Sequence, residues 1–149
     1  MHVASSSLDH LTTFLQVRGW IPPGSALVGR TTLNAGRTVQ TLRVTTDAGA
    51  TRVLRQPAAR TECNGAPDRL TVEGAFYRLV QIWPAVADRM PSCLGADRSD
   101  HVVVLEDLGS AATLADLYGT RQLLDEEVED LTAYLTALHA IPVVPDDGD

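Results

Sequence analysis

The chain has 149 residues, 44% of them hydrophobic and 21% charged, which is the size and composition of an ordinary single globular domain. Its formal net charge of −7 argues against a nucleic-acid-binding surface, so we expect no nucleic-acid partner. No apolar run approaches the roughly 18 residues of a membrane span, and the first residues lack the basic start and apolar core of a secretion signal, so we expect no membrane partner.

The first half of the chain predicts one helix and three consecutive antiparallel strands. Ser7 precedes apolar residues at helical spacing, so we expect a capped amphipathic helix from there to about Gly19. After residue 26 the sequence alternates Thr, Val and Leu with polar residues, which is typical of strands, and turn sequences at 34–38 and 46–50 divide it. The expected strands lie at about 26–34, 39–46 and 51–56.

A long helix is predicted after a loop at 58–68. Leu70, Glu73, Tyr77 and Val80 recur on one face of it, and Pro84 is expected to end it. Because its neighbours on that face are apolar, Glu73 is more readily explained as an acid with a partner than as a solvated one. The apolar residues expected to widen the face are Val72, Phe76, Leu79 and Trp83.

The rest of the chain predicts two strands and two helices. A short strand and a turn are expected at 89–100, and the apolar run at 102–107 is expected to form a second strand. Asp125 is expected to cap a long helix. The residues that indicate helices are Leu114, Leu117 and Tyr118 for a short one, and Val128, Leu131, Leu135 and Leu138 for the long one. Because the strands cluster before the last helices, the predicted fold class is α+β.

The cysteines and basic residues restrict the chemistry that the chain can support. Cys63 and Cys93 are too few for a disulfide framework and lack the paired spacing of a zinc site, so a reduced, cytoplasmic protein is expected. All 12 basic residues are arginines. Any role that lysine fills elsewhere must therefore fall to an arginine here or stay vacant.

Four short segments follow one another along the chain in an order that bears on fold and function. They are GRTVQTLRV at 36–44, which covers the first turn and the strand after it, Val53-Leu54-Arg55 in the third strand, Glu73 one turn into the long helix, and VVVLEDLG at 102–109. In this order they resemble the N-terminal lobe of the aminoglycoside phosphotransferase and choline kinase family of small-molecule kinases. The segment LTALHAIPV at 135–143 is similar to the one that precedes the catalytic loop in that family.

The resemblance implies a protein-kinase-like fold. Residues 1–107 would form an N-terminal lobe, an antiparallel sheet of about five strands with one long helix, preceded by a helix. Residues 108–149 would form the hinge and the first helices of a C-terminal lobe, truncated before the catalytic loop.

The resemblance also implies that ATP is the ligand. Gly36, Arg37 and Thr38 would cover its phosphates, because a turn with glycine lets backbone N–H groups approach phosphate oxygens. Arg55 would contact the α- and β-phosphates where the family has a lysine, and Glu73 would orient it. Arginine offers a planar fork rather than a point charge, so the contact geometry would differ.

For the base, the resemblance implies a site at the end of the last strand. The Leu105 carbonyl and the Asp107 N–H would face adenine, and Val104 would line the pocket from behind. The side chains of Glu106 and Asp107 would then face solvent.

Each of these segments also has a plain structural explanation. A single glycine at position 36 fits an ordinary hairpin turn. Arg55 and Glu73 fit solvated surface charges, although Arg52, on the alternate face of the strand, is the better candidate for one. The stretch after Leu105 fits a strand that ends in polar residues.

The catalytic part of the family pattern does not occur in this sequence. Phosphoryl transfer needs an aspartate that positions the acceptor hydroxyl, and Asn and Asp ligands for Mg²⁺. The family carries them in H-G-D-x-x-x-x-N and I-D-[FWY]-[ED], and neither string is present. We therefore predict no catalytic or metal-binding residues, no phosphoryl transfer by this chain alone, and Mg²⁺ binding only with the missing lobe.

Two further hypotheses remain open at this point. In one, the chain is a non-catalytic binding module whose helices at 111–141 pack on a partner protein or on a second copy. In the other, it is an unrelated α+β domain, and Arg55 and Glu73 are then not expected to lie within contact distance.

Overall fold

The computed structural model describes residue 3 and residues 5–36, 38–58, 69–109 and 123–142. The elements along the described chain are α1 (Leu8–Val17), β1 (Leu27–Ala35), β2 (Val39–Thr46), β3 (Thr51–Pro57), α2 (Arg69–Val80), α3 (Pro84–Ala87), β4 (Cys93–Asp97), β5 (Val102–Glu106) and α4 (Asp125–His139). Two compact units divide the chain. The first contains residues 1–79 and 91–107, and the second contains residues 80–90 and 108–149.

The first unit is built on one five-stranded antiparallel sheet, in the order β1-β2-β3-β5-β4. The α+β class and the sheet of about five strands are therefore confirmed. The predicted strand bounds agree with the structure to within one residue at each end of the first three strands.

The turn between β2 and β3 fixes the register of the central strands. Gly49 has a φ of +81°, which glycine adopts without steric cost, and its N–H donates to the Thr46 carbonyl at 2.9 Å. From this turn onward Thr45 pairs with Thr51, Arg43 with Val53 and Thr41 with Arg55. Because side chains alternate along a strand, the residues of these three pairs share one face of the sheet.

Helix α1 covers the opposite face, which we call the α1 face. The Ser7 hydroxyl accepts from the His10 N–H at 3.2 Å, as the sequence predicts for an N-cap. The helix buries Leu11, Phe14 and Leu15 in the main core. The sheet residues in that core are Leu27, Leu42, Val44, Leu54, Val102 and Val104.

Helix α2 lies on the other face, which we call the α2 face. Leu70 packs with Val103 and Leu105 in a second, smaller core. The helix approaches the sheet closely at Gly74, where a Cβ would stand 3.1 Å from the Ala96 Cβ. A larger residue at position 74 would therefore push α2 away from the sheet.

The structure corrects the predicted end and width of α2. The helix ends at Val80, and Pro84 begins α3 instead of ending α2. Proline suits a first helical position, because the N–H that it lacks has no partner within the helix there. Val72 and Leu79 are exposed, so the buried face is narrower than the apolar residues suggest.

The second unit contains α3 and α4. Asp125 is the first residue of α4 rather than its cap, and the Glu127 carboxylate accepts from the Leu124 N–H at 2.9 Å. No residue of α4 is buried, and Val128 and Leu135 on its predicted apolar face are 46% and 43% exposed. The short helix predicted around Leu114 lies outside the described residues.

Among the described residues, no helix is both long and apolar enough to cross a membrane.

Candidate functional site

The α2 face carries the candidate site. Helix α2 packs there on β4 and β5 through Leu70 and Gly74. The β2 and β3 residues of the same face are polar or only partly buried. They are Val39, Thr41, Arg43 and Thr45 on β2, and Thr51, Val53 and Arg55 on β3. The β2–β3 part of this face therefore offers both charged and apolar groups to a ligand.

Arg55 and Glu73 meet on this face. The Arg55 Nε lies 2.7 Å from the Glu73 Oε1, and the two side chains are 30% and 17% exposed. The Nε–H does not point at the carboxylate with hydrogen-bond geometry, so the contact is ionic. Within the described part of the chain, Glu73 is the only polar partner of Arg55. The guanidinium is therefore oriented by Glu73 and keeps donor capacity for another group.

Arg52 shows how strand alternation separates the two arginines of β3. It lies on the α1 face, opposite Glu106 of β5. Its Nε donates to the Trp20 carbonyl at 3.1 Å, and it is partly buried. The prediction that Arg52 lies on the alternate face is confirmed. The prediction that its side chain is simply solvated is wrong, because its guanidinium donates a hydrogen bond to a backbone carbonyl.

A second arginine–carboxylate pair lies on the α2 face. The Arg43 Nε lies 2.7 Å from the Asp107 Oδ2, and the Arg43 Nη2 donates to Oδ1 at 2.9 Å. The Asp107 side chain is only 4% exposed, whereas that of Arg43 is 30% exposed. The prediction that the Asp107 side chain faces solvent is therefore wrong. Its carboxylate is buried against the sheet and contacts the Arg43 guanidinium through both oxygens.

The Arg43–Asp107 contact spans a strand. Arg43 is on β2, Asp107 directly follows β5, and β3 lies between these two strands. Val53 of β3 is directly opposite both Arg43 and Leu105. The Arg43 side chain therefore reaches across β3 beside Val53, and it ties the segment after β5 to the middle of the sheet.

The base-site residues implied by the resemblance divide between the two faces. Val104 is fully buried in the core under α1, so it lies on the opposite side of the sheet from Arg55. Leu105 is on the α2 face with Arg55, opposite Val53. Because neighbouring residues of a strand point to opposite faces, Leu105 takes the position beside the candidate site that was expected of Val104.

Glu106 lies at the end of β5 and is exposed, as predicted. The Ser92 hydroxyl donates to its Oε2 at 2.8 Å and the Ser92 N–H at 3.2 Å. These two bonds, the hydroxyl one first, lower the pKa of Glu106. The acid is thereby held by Ser92, the residue before β4, away from the Arg43–Asp107 pair on the α2 face.

The turn between β1 and β2 places Gly36 and Thr38 beyond the last strand pair, Ala35 with Gln40. A Cβ on Gly36 would stand 2.9 Å from the Val39 carbonyl oxygen. The turn itself therefore requires glycine there, whether or not a phosphate binds. Thr38 is exposed, and Arg37 lies outside the described residues.

Cys93 of β4 borders the candidate site. Burial raises the pKa of its thiol, and this outweighs a backbone hydrogen bond with Gly95 that lowers it. The thiol forms no disulfide, and a raised pKa keeps it protonated and unreactive near neutral pH. We therefore assign Cys93 a packing role beside Leu105, its partner across the strand pair.

Arg43 is the residue of this site that sequence reasoning missed. Its signal was present in the hairpin, because the turn at 46–50 sets Arg43 opposite Val53 and on the face of Arg55. Its contact with Asp107 depends on the pairing of β3 with β5, which joins distant parts of the chain.

No group of three His, Cys, Asp or Glu side chains suitable for a metal ion occurs among the residues that the structure describes. The chain matches no protein-family model and no curated protein sequence.

Proposed function

We propose that residues 1–107 form the nucleotide-binding lobe of a small-molecule kinase related to the aminoglycoside phosphotransferase and choline kinase family. The ligand is ATP, and in a complete enzyme its γ-phosphate is transferred to a hydroxyl of a small molecule. The observation that carries the proposal is the contact between Arg55 and Glu73, 2.7 Å from Nε to Oε1.

This contact supports the proposal over an accidental resemblance. In protein kinases, a cation on the third strand pairs with a glutamate of the helix that follows it, and the cation contacts nucleotide phosphates. Arg55 lies on the third strand, and Glu73 lies one turn into the next helix. An unrelated α+β domain could bring two such side chains together as an ordinary ion pair, but it would not be expected to do so at these two positions.

The neighbouring residues fit a nucleotide in chemical type. Arg55 retains donors for phosphate oxygens, and an arginine fork suits phosphate geometry. Val39 and Val53, which are partly buried, provide apolar surface on the same face, and Leu105 is buried beneath them. In the proposal Glu73 holds the guanidinium in position, Arg55 binds the α- and β-phosphates, and Gly36 and Thr38 bring backbone N–H groups towards the phosphates.

The proposed activity of the isolated chain is binding alone. The aspartate that positions an acceptor hydroxyl and the ligands for Mg²⁺ belong to sequence strings that this chain does not contain. A cytoplasmic setting remains part of the proposal, because the chain has only two cysteines and ATP is a cytoplasmic metabolite.

An ATP titration of two arginine variants tests the proposal. Arg55→Ala should weaken ATP binding at least about tenfold, since a hydrogen bond to a charged group contributes about 1.5–3 kcal/mol. Arg52→Ala is the matched control, because Arg52 is on the same strand but on the α1 face. Equal losses of affinity in the two variants, or no loss in Arg55→Ala, would contradict the proposal.

A second candidate function is a non-catalytic interaction module. The observation that favours it is helix α4, where Val128 and Leu135 are 46% and 43% exposed. Exposed apolar side chains on one helix face are a common sign of a protein partner. If this function holds, sedimentation of the chain should show self-association that Leu135→Gln weakens; a strictly monomeric protein at high concentration would argue against self-association.

A further inference from the structure

The Arg43–Asp107 pair is not explained by phosphate binding. Asp107 holds the Arg43 guanidinium at two points, and the carboxylate is almost fully covered while the arginine side chain remains 30% exposed. A planar group fixed along one edge, with part of its surface exposed, is a stacking platform for a flat ring.

The position of the guanidinium suits the base of the nucleotide. It lies beside Asp107, directly after β5, where the family resemblance implies the edge of the base. Arg55 lies on the same face of the sheet, two residues along β3 from Val53, the residue opposite Arg43. A nucleotide with its phosphates on Arg55 would therefore have its base within reach of Arg43.

We propose that Arg43, held by Asp107, stacks on the nucleobase and thereby gives the site a preference for purine over pyrimidine nucleotides. This inference rests on the proposed nucleotide-binding function. A guanidinium over an aromatic ring is attractive, and a two-ring purine offers it more surface than a one-ring pyrimidine. Arg43 is the stacking residue, and Asp107 is a positioning residue that acts through it.

The variant Arg43→Lys separates stacking from charge. Lysine keeps the positive charge and can still pair with Asp107, but it has no planar group. We expect it to weaken ATP binding about three- to tenfold, to narrow the difference between ATP and CTP, and to leave binding of inorganic tripolyphosphate within about twofold. Arg98→Lys, at an exposed position in the turn between β4 and β5, is the control and should change none of these.

The outcomes distinguish the two proposals. If the wild-type chain binds neither ATP nor tripolyphosphate, the proposed function fails, and this inference fails with it. If the wild type binds ATP but Arg43→Lys binds it equally well, or loses ATP and tripolyphosphate affinity by the same factor, only the stacking role is overturned.

A measurement on the unaltered protein covers the case in which a variant fails to fold. A base stacked on Arg43 shifts the NMR resonances of its guanidinium by ring current. ATP should therefore shift the Arg43 Nε–H resonance upfield, and tripolyphosphate should not. The same small shift with both ligands would overturn the stacking role.

Discussion

Arg55 on β3 and Glu73 on α2 are joined by an ionic contact of 2.7 Å across the gap between sheet and helix. Both side chains are partly exposed, so solvent screens the attraction. A contact of this kind contributes little to stability, and its value lies in fixing the direction of the guanidinium.

A double-mutant cycle should show this small energy. Arg55→Ala, Glu73→Ala and the double variant should give a coupling of about 1 kcal/mol or less in the free energy of unfolding from urea denaturation. A coupling of several kcal/mol would show that the pair serves mainly to stabilise the fold. It would then give no support to a ligand-binding role for Arg55.

The sheet should not tolerate a side chain at Gly95. A Cβ there would overlap the Trp20 indole, which packs over β4 on the α1 face. We expect Gly95→Ala to lower the free energy of unfolding by about 1–3 kcal/mol, because the ring or the strand must move. Gly29→Ala, also on a strand but with its nearest neighbour 4.0 Å away, is the control and should lie near the wild type. Similar effects of the two changes in thermal melts would contradict this packing.

Two glutamines that face each other across β2 and β3 should respond in opposite ways. Gln56 is buried, accepts from the Val3 N–H at 2.7 Å and donates to the Asp100 carbonyl at 3.0 Å. Gln56→Leu leaves both backbone groups without that partner and should cost about 1–3 kcal/mol. Gln40 has a buried Oε1 without a hydrogen-bond partner among the described residues, so Gln40→Leu should be neutral or stabilising. Chemical denaturation of both variants measures these free energies of unfolding. A larger loss of stability in Gln40→Leu than in Gln56→Leu would contradict the prediction.

Asp97 should contribute to the acid sensitivity of the fold. Burial raises the pKa of its carboxyl, but the hydrogen bonds from the Asp100 N–H and the Arg18 guanidinium outweigh it, and the net pKa is lowered. At a pH between this lowered pKa and the pKa of about 3.9 that Asp97 has in the unfolded chain, the folded chain binds fewer protons than the unfolded chain. The stabilisation is therefore complete above the unfolded pKa and is lost as the pH falls through the folded one.

The variant Asp97→Asn tests this pH dependence. It should lower stability at neutral pH and flatten the fall in the free energy of unfolding below about pH 4. Arg18→Ala, which removes one cause of the lowered pKa, should remove part of the same slope. An unchanged slope in Asp97→Asn would show that other carboxyl groups dominate acid unfolding.

The local features of the fold were predictable from sequence, and the non-local ones were not. Ser7 as a cap and Gly49 in a hairpin turn act through neighbouring backbone, so the helix start and the β2–β3 hairpin follow from short stretches. The end of α2 was misplaced because Pro84 fits a first helical position as well as a terminating one.

The candidate site shows the same division. Apolar neighbours around Glu73 indicated a partner, and the structure places Arg55 beside it. Val104 was placed on the wrong face because the facing of β5 depends on its register with β3, which no local pattern reveals. For the same reason the burial of Asp107 against Arg43 could not be foreseen.

An NMR titration of the chain with ATP, up to millimolar concentration, tests the central claim most directly, because it detects even weak binding and locates it. The proposed function predicts amide and side-chain shifts confined to the α2 face, at Val39, Val53, Arg55 and Leu105, with the α1-face residues Leu42 and Leu54 unchanged. No shifts at millimolar ATP, or shifts spread over both faces, would contradict a nucleotide site on this sheet.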